Sequence, residues 1–174
     1  ATQPLPCIKP NQTAAKTNLK GQQTLNIKFT NKLMVMTKTI AELMTCDVLS
    51  IELDNTMADV HQMMKDHNIR HIPVLENGLF YGMVTQKSVL AKTMYLLDKY
   101  GVNALNRREK QVPVSELVDK DVVFANATMP LTEAARFFLN NRHGCLPVVD
   151  DNNQLQGIVT SSDFVRLSLT LLES

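Results

Sequence analysis

The chain contains an internal repeat, which restricts its possible folds more than any other feature. Residues 40–76 align with residues 114–150 at a constant offset of 74. Glu42 matches Glu116, Leu43 matches Leu117, Asp47 matches Asp121 and Val48 matches Val122; later Pro73 matches Pro147 and Val74 matches Val148. One inserted residue in the second copy raises the offset to 75, and Gly82, Val84 and Thr85 then match Gly157, Val159 and Thr160. Each copy is about 60 residues, too small to bury both faces of its own sheet, so the two copies should pack together.

The element order within each copy is helix, strand, helix, strand, strand, helix. A short helical stretch comes first (Ile40–Met44; Val114–Val118), then an extended apolar piece (Val48–Leu53; Val122–Ala127). An amphipathic helix follows, with Thr56 as a candidate cap and Met57, Val60, Met63 and Met64 along one face. In the second copy Pro130 suits the first turn, and Leu131, Ala134, Ala135 and Phe138 line the face. Two strands around a polar turn come next (Ile72–Leu75 and Phe80–Val84; Leu146–Val149 and Leu155–Val159), and a closing helix ends each copy (Ser88–Tyr100; Ser161–Leu172). Gly101 is a natural stop for the first of these. The chain therefore divides into an N-terminal extension (1–37), a first repeat (38–100), a charged linker (101–112) expected to be a solvated loop, and a second repeat (113–174). The extension is expected to be a partly disordered or surface-wrapped tail over residues 1–23, with a short edge strand or hairpin over Leu25–Met36.

The stretch Gly157-Ile158-Val159-Thr160-Ser161-Ser162-Asp163 reads as a buried strand running directly into a helix. Thr160 or Ser161 stands where it can cap that helix. The free N–H groups and positive dipole end of a helix suit a phosphate. Asp163 in the first turn suits the same dipole, and its carboxylate can accept two hydroxyls, such as those of a ribose. A purely structural role as a cap is the alternative for both residues.

The bulk chemistry excludes several functions. The net charge of +1 gives no field toward nucleic acid or anionic membrane. No apolar run reaches about 18 residues, so no membrane span is expected. Cys7, Cys46 and Cys145 show no CxxC or metal-ligand spacing, and the first residues show no apolar signal core. A reduced, cytoplasmic setting is therefore expected. His61, His67, His71 and His143 form no convincing metal face, and no nucleophile–base arrangement stands out, so neither a metal site nor catalysis is expected.

With its two helix–β–α–β–β–α copies, each with an apolar–Pro–Val strand and a Gly–apolar–Val–Thr–x–x–Asp/Ser junction, the chain resembles a tandem CBS-domain pair, the cystathionine-β-synthase type, over roughly residues 38–172. The resemblance implies an α+β fold: two β-α-β-β-α repeats packed sheet to sheet as a pseudo-twofold pair, with an N-terminal extension outside it. It further implies two clefts between the repeats that take adenosine-containing ligands such as AMP, ADP, ATP or S-adenosylmethionine, a regulatory role, and homodimerisation.

Carried over position by position, the resemblance assigns the main cleft to Thr160 and Ser162 (phosphate) and Asp163 (ribose hydroxyls). Thr45, Cys46, Val48, Arg70, His71 and Ile72 would form its other wall. The second cleft would use Thr85, Lys87 and Ser88, with Lys120, Val122, Gly144, Cys145 and Leu146 opposite. Ser88 stands where the family's ribose-binding Asp is expected, and a serine cannot grip two hydroxyls as a carboxylate does. The second cleft should therefore be weaker, empty or differently selective. The alternative reading is a protein-interaction or dimerisation module with degenerate, ligand-free clefts. In either reading a regulated protein partner remains to be identified.

Overall fold

The same hydrogen bonds stitch both copies of the repeat. The computed structural model describes residues 38–141 and 143–173; the expectations for residues 1–37 lie outside these. The Ile40 N–H of the first copy donates to the Met129 carbonyl of the second (2.9 Å), and the Leu131 N–H of the second to the Lys38 carbonyl of the first (2.9 Å). The converse bonds repeat the pattern: the Val114 N–H that opens the second copy donates to the Asn55 carbonyl of the first (2.9 Å), and the Met57 N–H of the first donates to the carbonyl of Val112, just before the second copy (2.8 Å). The short 3-10 helix that opens one repeat, Ile40–Glu42, therefore joins the core built by the other repeat, and Val114–Glu116 does the converse.

Two compact units result, and they exchange these opening segments. The first unit holds residues 47–124 with the hairpin tip 149–156; the described part of the second holds 38–46, 125–148 and 157–173. In the first unit β1 (Ile51–Glu52) runs parallel to β2 (His71–Glu76), which pairs antiparallel with β3 (Leu79–Thr85). Asn77 and Gly78, both at positive φ, close the β2–β3 hairpin, as a tight two-residue turn requires. Helix α1 (Met57–His67) is capped by Thr56, whose hydroxyl accepts from the Asp59 N–H, and ends at Asn68 in the left-handed conformation. It buries Met57, Val60 and Met64 against Ile72, Val74 and Val84. Helix α2 (Gln86–Tyr100) leaves the end of β3 and stops at Gly101.

The second unit rests on β4 (Cys145–Val149) and β5 (Leu155–Thr160), with α4 (Leu131–Asn140) and α5 (Ser161–Leu172). Its core is Ile40, Ala125, Leu131, Ala134, Leu146, Val148 and Val159. Pro130 is the residue before α4 rather than within its first turn.

Two expectations need correcting. The extended pieces Val48–Leu53 and Val122–Ala127 are not full strands. Pairing covers Ile51 and Glu52 in one copy and a single bridge, Ala125 to Val148, in the other. Nor is the linker a solvated loop: it forms a 3-10 turn (Val102–Ala104) and a short helix, α3 (Leu105–Glu109). Glu109 there is only 7% exposed, with its Oε1 3.5 Å from His61 Nδ1, and Val112 is buried in the first unit's core.

Candidate functional site

The junction glycines are fixed by a close backbone approach. Thr45 exchanges two hydrogen bonds with Ile158 of β5 (2.9 Å each way), and Asp119 does the same with Met83 of β3 (2.9 and 2.8 Å). A Cβ added at Gly157 would meet the Thr45 carbonyl oxygen at 2.8 Å, and one at Gly82 would meet the Asp119 carbonyl oxygen at 2.3 Å. These positions therefore admit only glycine without displacing the crossing segment. The crossing brings Thr45 and Cys46 to the strand that ends at Thr160, and Lys120 to the strand that ends at Thr85.

In the second unit Thr160 ends β5 and stands at the N-terminus of α5. Its N–H and its hydroxyl both donate to Asp163 Oδ2, at 2.7 Å each. Asp163 is 6% exposed, and its Oδ1 accepts from Arg166 Nη1 at 3.1 Å. Ser162 is exposed beside it. The α5 N-terminus thus holds a buried carboxylate in a fixed orientation, next to backbone N–H groups that lie too early in the helix to have a partner.

In the first unit the equivalent junction is neutral. Thr85 and Ser88 bond reciprocally: Ser88 N–H to Thr85 Oγ1 and Thr85 N–H to Ser88 Oγ, both 3.1 Å. His71 faces Thr85 across the β2–β3 ladder, and the Gln86 N–H donates to the Arg70 carbonyl at 2.8 Å. Burial first, and then the Arg70 charge, push the His71 imidazole below its ordinary pKa, favouring the neutral ring. Lys120 Nζ sits 4.5 Å from the centre of the Tyr81 ring, and the hydrogen bond with the Tyr81 hydroxyl holds its pKa above the usual lysine value. Lys87 is exposed in the first turn of α2. An open cavity of about 370 Å³ lies alongside, lined by Ser88, Ala91, Lys92, Tyr95, Glu116 and Leu117.

The structure thus sorts the expected residues by unit. Thr45, Cys46, Thr160, Ser162 and Asp163 belong to the second unit; Val48, Arg70, His71 and Ile72 belong to the first. Of the other set, Thr85, Lys87, Ser88, Lys120 and Val122 are in the first unit, and Gly144, Cys145 and Leu146 are in the second. The side chains of Ile72, Cys145 and Leu146 are buried in strands, so these positions would meet a ligand through their backbone. Burial pushes the Cys145 thiol up to about 12. Cys46 is disulfide-bonded, against the expectation of three reduced thiols. Three partners escaped the sequence reading: Arg166 on Asp163, Tyr81 under Lys120 and the buried Glu109. Arg166 was detectable only as a cation three residues after the acid. Among the described residues, no group of three His, Cys, Asp or Glu side chains is placed to hold a metal, and no helix is long and apolar enough to cross a membrane.

A CBS domain family model matches residues 40–94 and 114–170. The chain belongs to the CBS-domain family. The two matches coincide with the two sequence repeats, so the resemblance seen in the junctions is correct. The chain is similar to the CBS domain-containing protein YhcV of Bacillus subtilis: 32% identical over 124 residues, covering 71% of this chain and 81% of that protein. Among solved structures its fold is similar to that of CBSX2 in complex with AMP, with a TM-score of 0.63 and 23% identity over 76% of this chain and 97% of that one. It is also similar to the CBS domain pair of MJ0100 in complex with 5'-methylthioadenosine and S-adenosyl-L-methionine: TM-score 0.61 and 22% identity, covering 76% and 96%. At these identities the structural neighbours establish that the CBS pair is an α+β fold of two repeats, and no more.

Proposed function

We propose that this CBS pair is a regulatory module that binds an adenosine-containing ligand, AMP, ADP, ATP or S-adenosylmethionine. The observation that carries the reading is Asp163: a buried carboxylate at a helix N-terminus, oriented by Thr160 and paired with the exposed Arg166. Such a group can accept ribose hydroxyls, while Thr160, Ser162 and the free amides of α5 take phosphate. Thr45, Cys46, Val48, Arg70, His71 and Ile72 complete the ligand set. Complexes of CBSX2 with AMP and of MJ0100 with adenosyl compounds support this class of ligand. The second set, around Thr85, Lys87, Ser88 and Lys120, with Val122, Gly144, Cys145 and Leu146, lacks the acid and binds more weakly or takes a different ligand. Regulation follows if the ligand has unequal affinity for two states of the module, because it then shifts their populations.

A second reading, a ligand-free association module, has its own support. The closing helices expose apolar side chains at repeat-equivalent positions, Leu90 and Met94 on α2 and Val165 and Leu169 on α5, with Leu172 one turn further on. Exposed apolar stripes of this kind suit a homodimer contact. The readings can coexist, and calorimetry separates them. The chain titrated with each of the four ligands to millimolar levels should show heat for at least one. Asp163→Asn should weaken that binding at least tenfold, with circular dichroism unchanged. No heat with any of the four refutes the ligand reading; undiminished affinity in the variant moves the site elsewhere. Co-purification of a stable protein partner without nucleotide would favour the second reading.

A further inference from the structure

We propose that Arg166 is a replaceable occupant of the Asp163 site, and that its release makes the site select adenosyl ligands that also carry an anion. The inference rests on the ligand reading above. The two oxygens of Asp163 are used unequally. Oδ2 is held by two short bonds from Thr160, both within one local turn. Oδ1 has Arg166 as its one protein donor among the described residues, at 3.1 Å. A buried carboxylate oxygen is costly to leave unpaired, so the unliganded chain needs this contact. Arg166 itself depends little on it: its side chain is 76% exposed, against 8% for Asp163, and most of its donors already face water.

The exchange follows from these exposures. A ribose diol that donates to Oδ1 satisfies the carboxylate and frees the guanidinium without stranding a buried charge. Helical side chains lean toward the N-terminus of their helix, as the Arg166 contact to a residue three positions earlier demonstrates. The freed guanidinium therefore stays near the α5 N-terminus, where free amides already favour negative charge. A planar fork of donors there recognises a phosphate in a bidentate manner. A ligand bearing a diol but no anion displaces Arg166 and gains nothing from it; a nucleotide displaces it and recruits it.

The other repeat serves as an internal control. The positions equivalent to Asp163 and Arg166 are Ser88 and Ala91, so acid and arginine are absent together. Ser88 and Ala91 instead line the open cavity of about 370 Å³. The pair thus behaves as one feature, present in one junction and missing as a whole from the other.

The test is calorimetry of the full chain with AMP and with adenosine, which differ by the anion alone. Wild type should bind AMP more tightly than adenosine. Arg166→Ala should leave adenosine binding unchanged or up to several-fold tighter, since a competitor is gone, and should weaken AMP. The ratio of the two affinities should fall at least fivefold, and Arg166→Lys should fall between. A ratio in Arg166→Ala within twofold of wild type overturns the inference while leaving the ligand reading standing, as does a wild type that prefers adenosine. A wild type that binds neither compound refutes both. Arg166→Ala leaves Asp163 Oδ1 without its protein donor, so its melting temperature should fall; the binding comparison is made at a temperature where its circular dichroism spectrum matches wild type, and Arg166→Lys, which keeps a donor, controls for the lost contact.

Discussion

Gly82→Ala should be among the most damaging single-methyl additions in this chain, and the geometry indicates why. The new Cβ would lie 2.3 Å from the Asp119 carbonyl oxygen and 2.8 Å from Val118 Cγ2. The first neighbour is backbone and cannot rotate away, so the crossing segment must retreat by about 1 Å to reach ordinary contact. That movement stretches both bonds of the Met83–Asp119 bridge, at 2.9 and 2.8 Å. Two backbone bonds are worth about 1–3 kcal/mol together, and overpacking adds about 1–3 kcal/mol. Reduced freedom of the unfolded chain returns about 0.4–1 kcal/mol. The net loss is about 1–5.6 kcal/mol. Two other glycines calibrate it. Gly157→Ala should cost less, because the contact to the Thr45 carbonyl oxygen is 2.8 Å and its other close neighbour is the flexible Met44 side chain. Gly78→Ala meets nothing within 4 Å and suffers only from φ +79°, about 1–2 kcal/mol. Urea unfolding followed by circular dichroism should rank the losses Gly82 over Gly157, with Gly78 smaller than Gly82. A Gly82→Ala midpoint at or above that of Gly78→Ala refutes the close-approach argument.

Two further outcomes follow from shifted ionisations. Burial lowers the pKa of His71 in the folded chain, so the unfolded chain binds more protons. Stability is then complete above about 6.5, the unfolded value, and declines as the pH falls through the folded value; His71→Gln should show a smaller drop in urea midpoint between pH 7.5 and 5.5, and an equal drop refutes the assignment. The Cys145 thiol, raised to about 12 by burial, should be about one part in ten thousand thiolate at pH 8. Iodoacetamide should therefore leave it unlabelled in the native chain and label it in urea, read by peptide mass; equal labelling rates refute its burial.

Legibility in the sequence depended on whether the determining interaction was local. The paired strands, the polar turns, the Thr56 cap and the Gly101 stop depend on neighbours within a few residues, and the repeat displayed the strands and turns twice. The shortness of β1 was hidden because Val48–Leu53 is apolar throughout, while the extent of pairing is set by β2, some twenty residues away. The linker misled in the opposite sense. Arg107, Arg108 and Lys110 look like a solvated loop, yet the bond from Met57 N–H to the Val112 carbonyl draws its end into a core and buries Glu109. The exchange of opening segments left no local mark at all. It is specified by Ile40 and Val114 fitting cores made from the other repeat, which no periodicity within one copy reports.

The difference between Asp163 and Ser88 was legible from the start; what it does to each junction was not. Both residues close a cap on the preceding threonine, so the replacement leaves the strand-to-helix turn intact. A second effect is electrostatic. Asp163 adds a buried negative charge at a helix end that attracts anions, and Arg166 offsets that charge. A bare carboxylate there would repel a phosphate, whereas a carboxylate carrying a detachable arginine can accept hydroxyls and still receive an anion. The Ser88 junction has neither problem nor remedy: it is neutral at the cap, with Lys87 exposed in the same turn. On the proposal above, one duplicated turn would recognise an anion in two ways, by exchange in one copy and by plain positive charge in the other. The AMP-to-adenosine ratio of the Arg166→Ala protein is the quantity that distinguishes the first from a simple cap.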